Sequence, residues 1–89
     1  MNLARVLEEG LRNLILNKLF KDEEKLGSAL AEMLELEFVD LDLLVEMNHI
    51  KEFRLDFELN NKKYYLDVCC NVLIDKKLVP NDCVVFERI

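Results

Sequence analysis

Hydrophobic residues in the first 35 positions recur every three to four residues, as they do on one face of an α-helix. In residues 2–20 the apolar face consists of Leu3, Leu7, Leu11, Leu14 and Ile15. In residues 22–35 it consists of Leu26, Ala29, Leu30, Met33 and Leu34. Asn2 and Asp22 have side chains suited to cap a helix N-terminus. The pattern predicts two helices, at about 2–20 and 22–35, joined as a helical hairpin.

After the second helix the apolar spacing changes to alternation, which is typical of strands with one buried face. The predicted strands are at about 38–46, 51–59, 62–74 and 83–88. The buried side of the first would consist of Val39, Leu41, Leu43 and Val45. A helix would bring Leu41, Leu44 and Val45 together instead, so strand and helix both stay open there. We expect one α+β domain, 1–89, with the hairpin packed on one face of a three- to four-stranded antiparallel sheet.

Asn60 and Asn61 indicate a two-residue hairpin turn, because asparagine tolerates the positive φ that a type I′ turn requires at both positions. The register that follows pairs Phe57 with Tyr64, Leu55 with Leu66, Phe53 with Val68, Glu58 with Lys63 and Arg54 with Asp67. Apolar side chains face each other, and the charges that face each other are opposite. A three-residue connection at 47–49 would likewise set Asp42 against Arg54.

Two adjacent cysteines, Cys69 and Cys70, lie in the third predicted strand, where successive side chains point to opposite faces. Cys70 is expected in the core and Cys69 on the polar face. Divergent thiols in a regular strand are unsuited to a mutual disulfide or to one shared metal ion. A zinc site that added Cys83 and His49 would lack the short paired spacing of such sites. The sequence therefore predicts no metal and no cofactor.

The net charge of −6 is concentrated in one part of the chain. Residues 22–58 contain twelve acidic and three basic residues, which gives that stretch a charge of −9. Affinity for nucleic-acid phosphates comes largely from lysine and arginine, so direct nucleic-acid binding is not expected. A protein partner with a basic surface suits this charge better.

The expected location is cytoplasmic. The apolar segment at the N-terminus is interrupted by charged and amide residues, unlike a signal peptide or a membrane span. Three cysteines, two of them adjacent, are not typical of the disulfide framework of a small secreted domain. We therefore expect reduced thiols and no contact with a membrane.

The polar face of the predicted sheet stays uncovered if both helices pack on the apolar face. Clustered aspartates there could bind Mg²⁺, but Arg54 would neutralise part of their charge. No residue is predicted to be catalytic. Acidic groups around a tyrosine are instead suited to docking on a protein. The partner-binding candidates are Asp40, Asp42, Leu44, Asp56, Glu58, Tyr65, Asp67 and Cys69.

The first functional hypothesis is a non-catalytic inhibitor or adaptor that binds a basic surface of a larger protein, such as one that handles nucleic acid. In size, acidity and helix-plus-sheet build, the chain is similar to small phage or mobile-element inhibitor proteins and to immunity proteins. The alternative is a structural homodimer that buries Leu16, Leu19 and Phe20 or pairs an open strand edge with its twin. A third hypothesis is a small enzyme that uses Cys69 or the clustered aspartates.

Overall fold

A computed structural model describes residues 2–37 and 39–89 and shows two helices followed by one antiparallel sheet. The elements are α1 (Leu3–Ile15), α2 (Glu23–Leu34), β1 (Asp42–Met47), β2 (Ile50–Leu59), β3 (Lys62–Val72) and β4 (Leu78–Glu87). The strand order is β1-β2-β3-β4, so each strand pairs with its neighbour in the chain. The predicted α+β architecture is confirmed. In the described part of the chain, no helix has the length and apolar character needed to cross a membrane.

Both helices begin at a side chain that accepts a hydrogen bond from a free backbone N–H group. Asn2 Oδ1 accepts from the N–H of Ala4 at 3.0 Å, and Asp22 Oδ1 accepts from that of Lys25 at 2.9 Å. An N-cap of this type stabilises a helix by about 1 kcal/mol. The two capping residues chosen from the sequence are confirmed.

α1 ends five residues earlier than predicted. Asn17 has a φ of 64°, which directs the chain out of the helix. Phe20 then reaches β4, where it exchanges backbone hydrogen bonds of 2.8 and 2.9 Å with Leu78. The apolar residues at 16–20 therefore belong to a connection that lies against the sheet.

The β2–β3 hairpin has the predicted turn and register. Asn60 and Asn61 have φ values of 52° and 64°, as a type I′ turn requires. The observed partners include Phe57 with Tyr64, Leu55 with Leu66, Phe53 with Val68, Arg54 with Asp67 and Glu58 with Lys63. The hairpin at the centre of the sheet is thus confirmed pair by pair.

Residues 42–47 form a strand, which decides between the two predictions for this segment. The strand starts later than the predicted 38, and Phe38 lies outside the described residues. Asp42 faces Arg54 as predicted. The register then shifts at Leu44, and a two-residue turn replaces the predicted three-residue connection. The shift places Val45 opposite Glu52, on the polar side of the sheet. The alternating pattern predicts Val45 on the buried side, so that prediction is wrong.

β4 begins at Leu78, five residues before the predicted start. Pro80 lies opposite Cys70, and the register shifts just beyond it. The Pro80 carbonyl accepts a hydrogen bond from Asn17 on the outer edge of the strand. A proline is tolerated there because its missing N–H would point away from β3. β3 in turn ends at Val72 and not at the predicted 74.

The core lies between the helices and one face of the sheet, which we call the helix face. Its fully buried members include Leu11 and Ile15 from α1, Leu26 and Leu30 from α2, and Phe53, Tyr64, Leu66, Val68, Cys70, Cys83 and Val85 from the sheet. The other side of the sheet, which we call the open face, has no helix over it. The helix stripes therefore pack where the alternation of the strands predicts, except for Leu14 of the α1 stripe, which is 39% exposed.

Candidate functional site

The structure separates the partner-binding candidates into two regions. Six of them lie on the open face: Asp42, Asp56, Glu58, Tyr65, Asp67 and Cys69. Asp40 precedes β1 and lies on the other side of the sheet, in a groove against α2. Leu44 is the unpaired residue at the register shift of β1. The later start of β1 and its bulge cause these two differences from the predicted face.

Tyr65 lies at the centre of an aromatic and cationic cluster on the open face. The guanidinium carbons of Arg54 and Arg88 are 4.3 and 4.7 Å from the centre of its ring. The ring of Phe86 on β4 is 5.3 Å away, centre to centre. Cations over an aromatic ring are attracted to its negative face. The ring predicted as a docking anchor is therefore already in contact with residues of its own chain.

The same two arginines neutralise two of the candidate acids. Arg54 binds Asp67 through two hydrogen bonds, of 2.7 and 2.9 Å, and Arg88 Nε lies 2.7 Å from Asp56 Oδ1. The hydrogen bond to Asp67 is the main reason that the pKa of Arg54 is raised. The Asp67 side chain is only 13% exposed. The centre of the open face is thus close to electrically balanced, which leaves Asp42 and Glu58 as its unpaired candidates.

Cys69 is half-buried on the open face between Glu52 and Asp82. Burial is the main reason that its pKa is raised, and a hydrogen bond with Asn81 partly opposes this effect. A raised pKa favours the neutral thiol, whereas a nucleophile needs the thiolate and a nearby base. His49 is an exposed residue of the β1–β2 turn, as predicted. Among residues 2–37 and 39–89, no three histidine, cysteine, aspartate or glutamate side chains are placed to hold a metal ion.

An acidic groove of about 360 Å³ lies between α2 and residues 39–41, which lead into β1. Its carboxylates are Glu23, Glu24, Glu37 and Asp40. Its apolar wall includes Val39 and Leu41, which pack against Gly27 of α2. Of these four acids only Asp40 is a partner-binding candidate from the sequence, although all four belong to the acidic stretch at 22–58. Their convergence depends on how α2 packs, which spacing alone does not show.

A lysine links the acidic groove to β1. Lys51 Nζ lies 3.5 Å from a Glu23 carboxylate oxygen and 3.8 Å from one of Glu46. In the described structure it is the only base that forms an ion pair with the acids of the groove or of β1. These carboxylates therefore keep a strong excess of negative charge beside the β1 edge.

The outer edge of β4 is covered by side chains of α1. Glu8 accepts a hydrogen bond from the Val85 N–H at 2.9 Å, and Arg5 donates one to the Val85 carbonyl at 3.2 Å. Arg12 donates to the carbonyl of Cys83 at 3.1 Å. Unpaired groups of an edge strand are a template for pairing with another chain, so these contacts block that half of the edge.

The connection after α1 covers the other half of the β4 edge. The Asn17 N–H donates to the Pro80 carbonyl at 2.9 Å. Phe20 pairs with both backbone groups of Leu78. β4 therefore offers no continuous row of free groups to a further strand.

β1 forms the opposite edge, and over residues 2–37 and 39–89 its backbone pairs only with β2. In an antiparallel pair, alternate residues direct their backbone N–H and C=O groups toward the neighbouring strand. In β1 these residues are Asp42, Val45 and Met47, which lie opposite Arg54, Glu52 and Ile50 of β2. The intervening Leu43 and Glu46 consequently direct their N–H and C=O groups outward. Exposed apolar side chains accompany this edge: Leu43, Leu44 and Met47, the last of them 67% exposed.

A second groove, of about 670 Å³, lies between the two helices. Its apolar lining includes Gly10, Leu14, Ile15, Phe20, Ala29 and Met33. Of the three self-association candidates, Phe20 lines this groove and is half-buried through its contact with β4. Leu16 is also half-buried, at the C-terminus of α1, whereas Leu19 is 57% exposed.

Comparisons of the chain with protein-family models, with curated proteins and with solved structures found no match.

Proposed function

We propose that the protein is a small, non-catalytic protein-binding domain, an inhibitor or adaptor, that docks on a basic surface of a larger protein. The observation that carries the proposal is the distribution of unpaired acids. Within residues 2–37 and 39–89, those at the centre of the open face are balanced by Arg54 and Arg88, whereas those beside β1 are balanced only by Lys51. Docking would therefore occur at the β1 side, where carboxylates without an ion pair cluster and attract a basic partner.

Reversal of the charges beside β1 should weaken partner binding. In the variant Asp40→Lys/Asp42→Lys, two repulsive charges replace two attractive ones. Partner affinity should fall by about 100-fold at about 0.1 M salt, since an interfacial charge change costs on the order of 1 to 2 kcal/mol per site. The partner would be identified by affinity purification from the native host with mass spectrometry. Its affinity for each purified variant would then be measured by calorimetry.

A matched control is Glu9→Lys/Glu87→Lys, which makes the same change in net charge on α1 and at the end of β4, three strands away from β1. We expect this variant to bind within about threefold of the wild type, because salt screens charges more than about 10 Å apart. If both double variants bind as the wild type does, docking through the acidic surface is wrong. A larger loss in the control would move the docking surface to the side of α1 and β4.

The alternative is self-association, which the groove between the helices and the exposed Leu19 favour. If two copies bury this region, light scattering on the purified protein should give a dimer mass. Leu19→Glu should then give the monomer mass, because a charge would be placed in an apolar contact. Leu73→Glu is the matched control, since Leu73 is also an exposed leucine but lies after β3 and does not line the groove. A wild-type protein that is monomeric at every concentration would exclude the homodimer.

A further inference from the structure

The two edges of the sheet differ in what they offer to another chain. On β4, the outward groups at Leu78, Pro80, Cys83 and Val85 are hydrogen-bonded by α1 or by the connection that follows it. On β1, the outward groups of Leu43 and Glu46 have no hydrogen-bond partner within the described residues. Only one edge of this sheet can therefore accept a further strand.

We infer that the protein binds its partner by strand addition, with an extended basic segment of the partner pairing along β1. This inference rests on the proposed function and specifies how the docking occurs. In strand addition, backbone hydrogen bonds provide affinity and alternate side chains provide specificity. β1 has six residues, so it matches a partner segment of about 20 Å.

The side chains around β1 define the sequence of that segment. On the helix face, Lys51 connects Glu46 to Glu23 of the acidic groove, and Leu43 follows residues 39–41, which line that groove. Partner residues on this side should therefore be lysine or arginine. On the open face, Val45 and Met47 offer apolar contacts, so the intervening residues should be aliphatic. Because side chains of a strand alternate between faces, the predicted segment alternates basic and aliphatic residues.

A second copy of this chain suits the edge poorly. Pairing of β1 with its twin would bring the acidic grooves and the Glu46 carboxylates of two molecules alongside each other. Like charges across neighbouring strands are destabilising, whereas a basic segment would meet the same carboxylates with opposite charge. Charge complementarity thus selects a basic partner over a twin.

The test uses two synthetic peptides of equal composition and charge. One is acetyl-Lys-Val-Lys-Val-Lys-Val-amide, and the other is acetyl-Lys-Lys-Lys-Val-Val-Val-amide. Binding to the full protein would be followed by nuclear magnetic resonance, through chemical shifts and hydrogen exchange of the backbone amides. We expect the alternating peptide to bind at least tenfold more tightly than the block peptide and to protect the amides of Leu43 and Glu46 from exchange.

Glu46→Pro removes one outward N–H group, and Glu46→Gln is its matched control because it loses the same charge but keeps the N–H. The proline variant should bind the alternating peptide about tenfold more weakly than the glutamine variant. If the proline variant does not fold, methylation of the peptide nitrogens that face β1 tests the same hydrogen bonds from the ligand side. That peptide should likewise lose about tenfold in affinity.

The outcomes separate this inference from the proposed function. Equal binding of the two peptides, or of the two Glu46 variants, would show docking by charge alone and would overturn strand addition while the proposed function stands. Absence of peptide binding would also overturn it. Protection of the β1 amides that rises with protein concentration, without peptide, would identify a second copy as the occupant. Unchanged partner affinity in both charge-reversal double variants would overturn the proposed function itself.

Discussion

Above pH 9, the free energy of unfolding should fall by about 2 kcal/mol or more per pH unit, through the thiols of Cys70 and Cys83. Both side chains are fully buried in the core, and burial is the main reason that their pKa values are raised to about 12 from an ordinary 9.0. Each ionising thiol contributes up to about 1.4 kcal/mol per pH unit. From pH 9 to 12 the two thiols would remove up to about 8 kcal/mol, which is a large share of the stability expected for a domain of this size.

The sign follows from where the protons are held. Below pH 9 the thiols are protonated in both the folded and the unfolded chain, so they add no pH dependence. Between pH 9 and about 12 they ionise in the unfolded chain only, which draws the equilibrium toward unfolding. The stabilisation from the neutral, buried thiols is thus fully present below pH 9 and is lost as the pH rises toward 12.

Urea denaturation, followed by circular dichroism at a series of pH values, would measure this effect. Cys70→Ala/Cys83→Ala should show a much smaller slope above pH 9, although the variant is less stable at neutral pH. Cys69→Ala is the control and should keep most of the wild-type slope, because Cys69 is only half-buried. Equal slopes in the wild type and the double variant would contradict the prediction.

Phe53→Ala should cost about 3 to 5 kcal/mol of stability at pH 7. Phe53 has no exposed surface and lies in the middle of β2 on the helix face, between Leu43 and Val68. Its removal leaves a cavity that the surrounding strands can fill only in part. For a domain of this size, that loss is a large share of a total of about 4 to 13 kcal/mol.

The matched control for the core substitution is Phe86→Ala, which deletes the same side chain on the open face. Phe86 is 39% exposed and contacts Tyr65 and Arg5. Its loss should cost about 1 kcal/mol, since less apolar area returns to water. Urea denaturation at neutral pH measures both values. Similar losses for the two variants would mean that the open face is covered in solution, as it would be in a dimer through that face.

The sequence predicts the β2–β3 hairpin because local chemistry and face pattern agree there. Two asparagines tolerate the turn, and only one register pairs apolar residues on one face and opposite charges on the other. β1 lacks such agreement. Asp42 pairs with Arg54 if the turn has three residues, and also if the turn has two residues and β1 contains a bulge. The sequence does not distinguish these two arrangements.

The predicted end of α1 and the predicted start of β4 were both wrong, and the two errors have one physical cause. When each segment is considered alone, Leu19 and Phe20 favour a longer apolar helix, and Pro80 favours a turn. In the folded chain these segments bind each other, since Asn17 and Phe20 satisfy the carbonyls of Pro80 and Leu78. Such a long-range contact overrides local preference, and no spacing within one sequence encodes it.

The charge of the candidate site could be predicted from the sequence, but its position in the fold could not. The acidic stretch at 22–58 and the Arg54–Asp67 pair follow from composition and register. The ion pair of Arg88 with Asp56, and the convergence of Glu23 with Asp40, depend on how separate elements pack. The open edge of β1 could be identified only once β4 was known to be covered by α1.

The covering of β4 limits how many chains this protein can join. A sheet that is open at both edges can add strands without end, which is the route to fibres. Here Glu8, Arg5 and Arg12 close one side, so each molecule has a valency of one for strand addition. A partner segment would give a complex of one to one, and even a twin would give a closed pair with eight strands and no free edge. In both cases this protein contributes one edge, β1, and its β4 side adds no further strand.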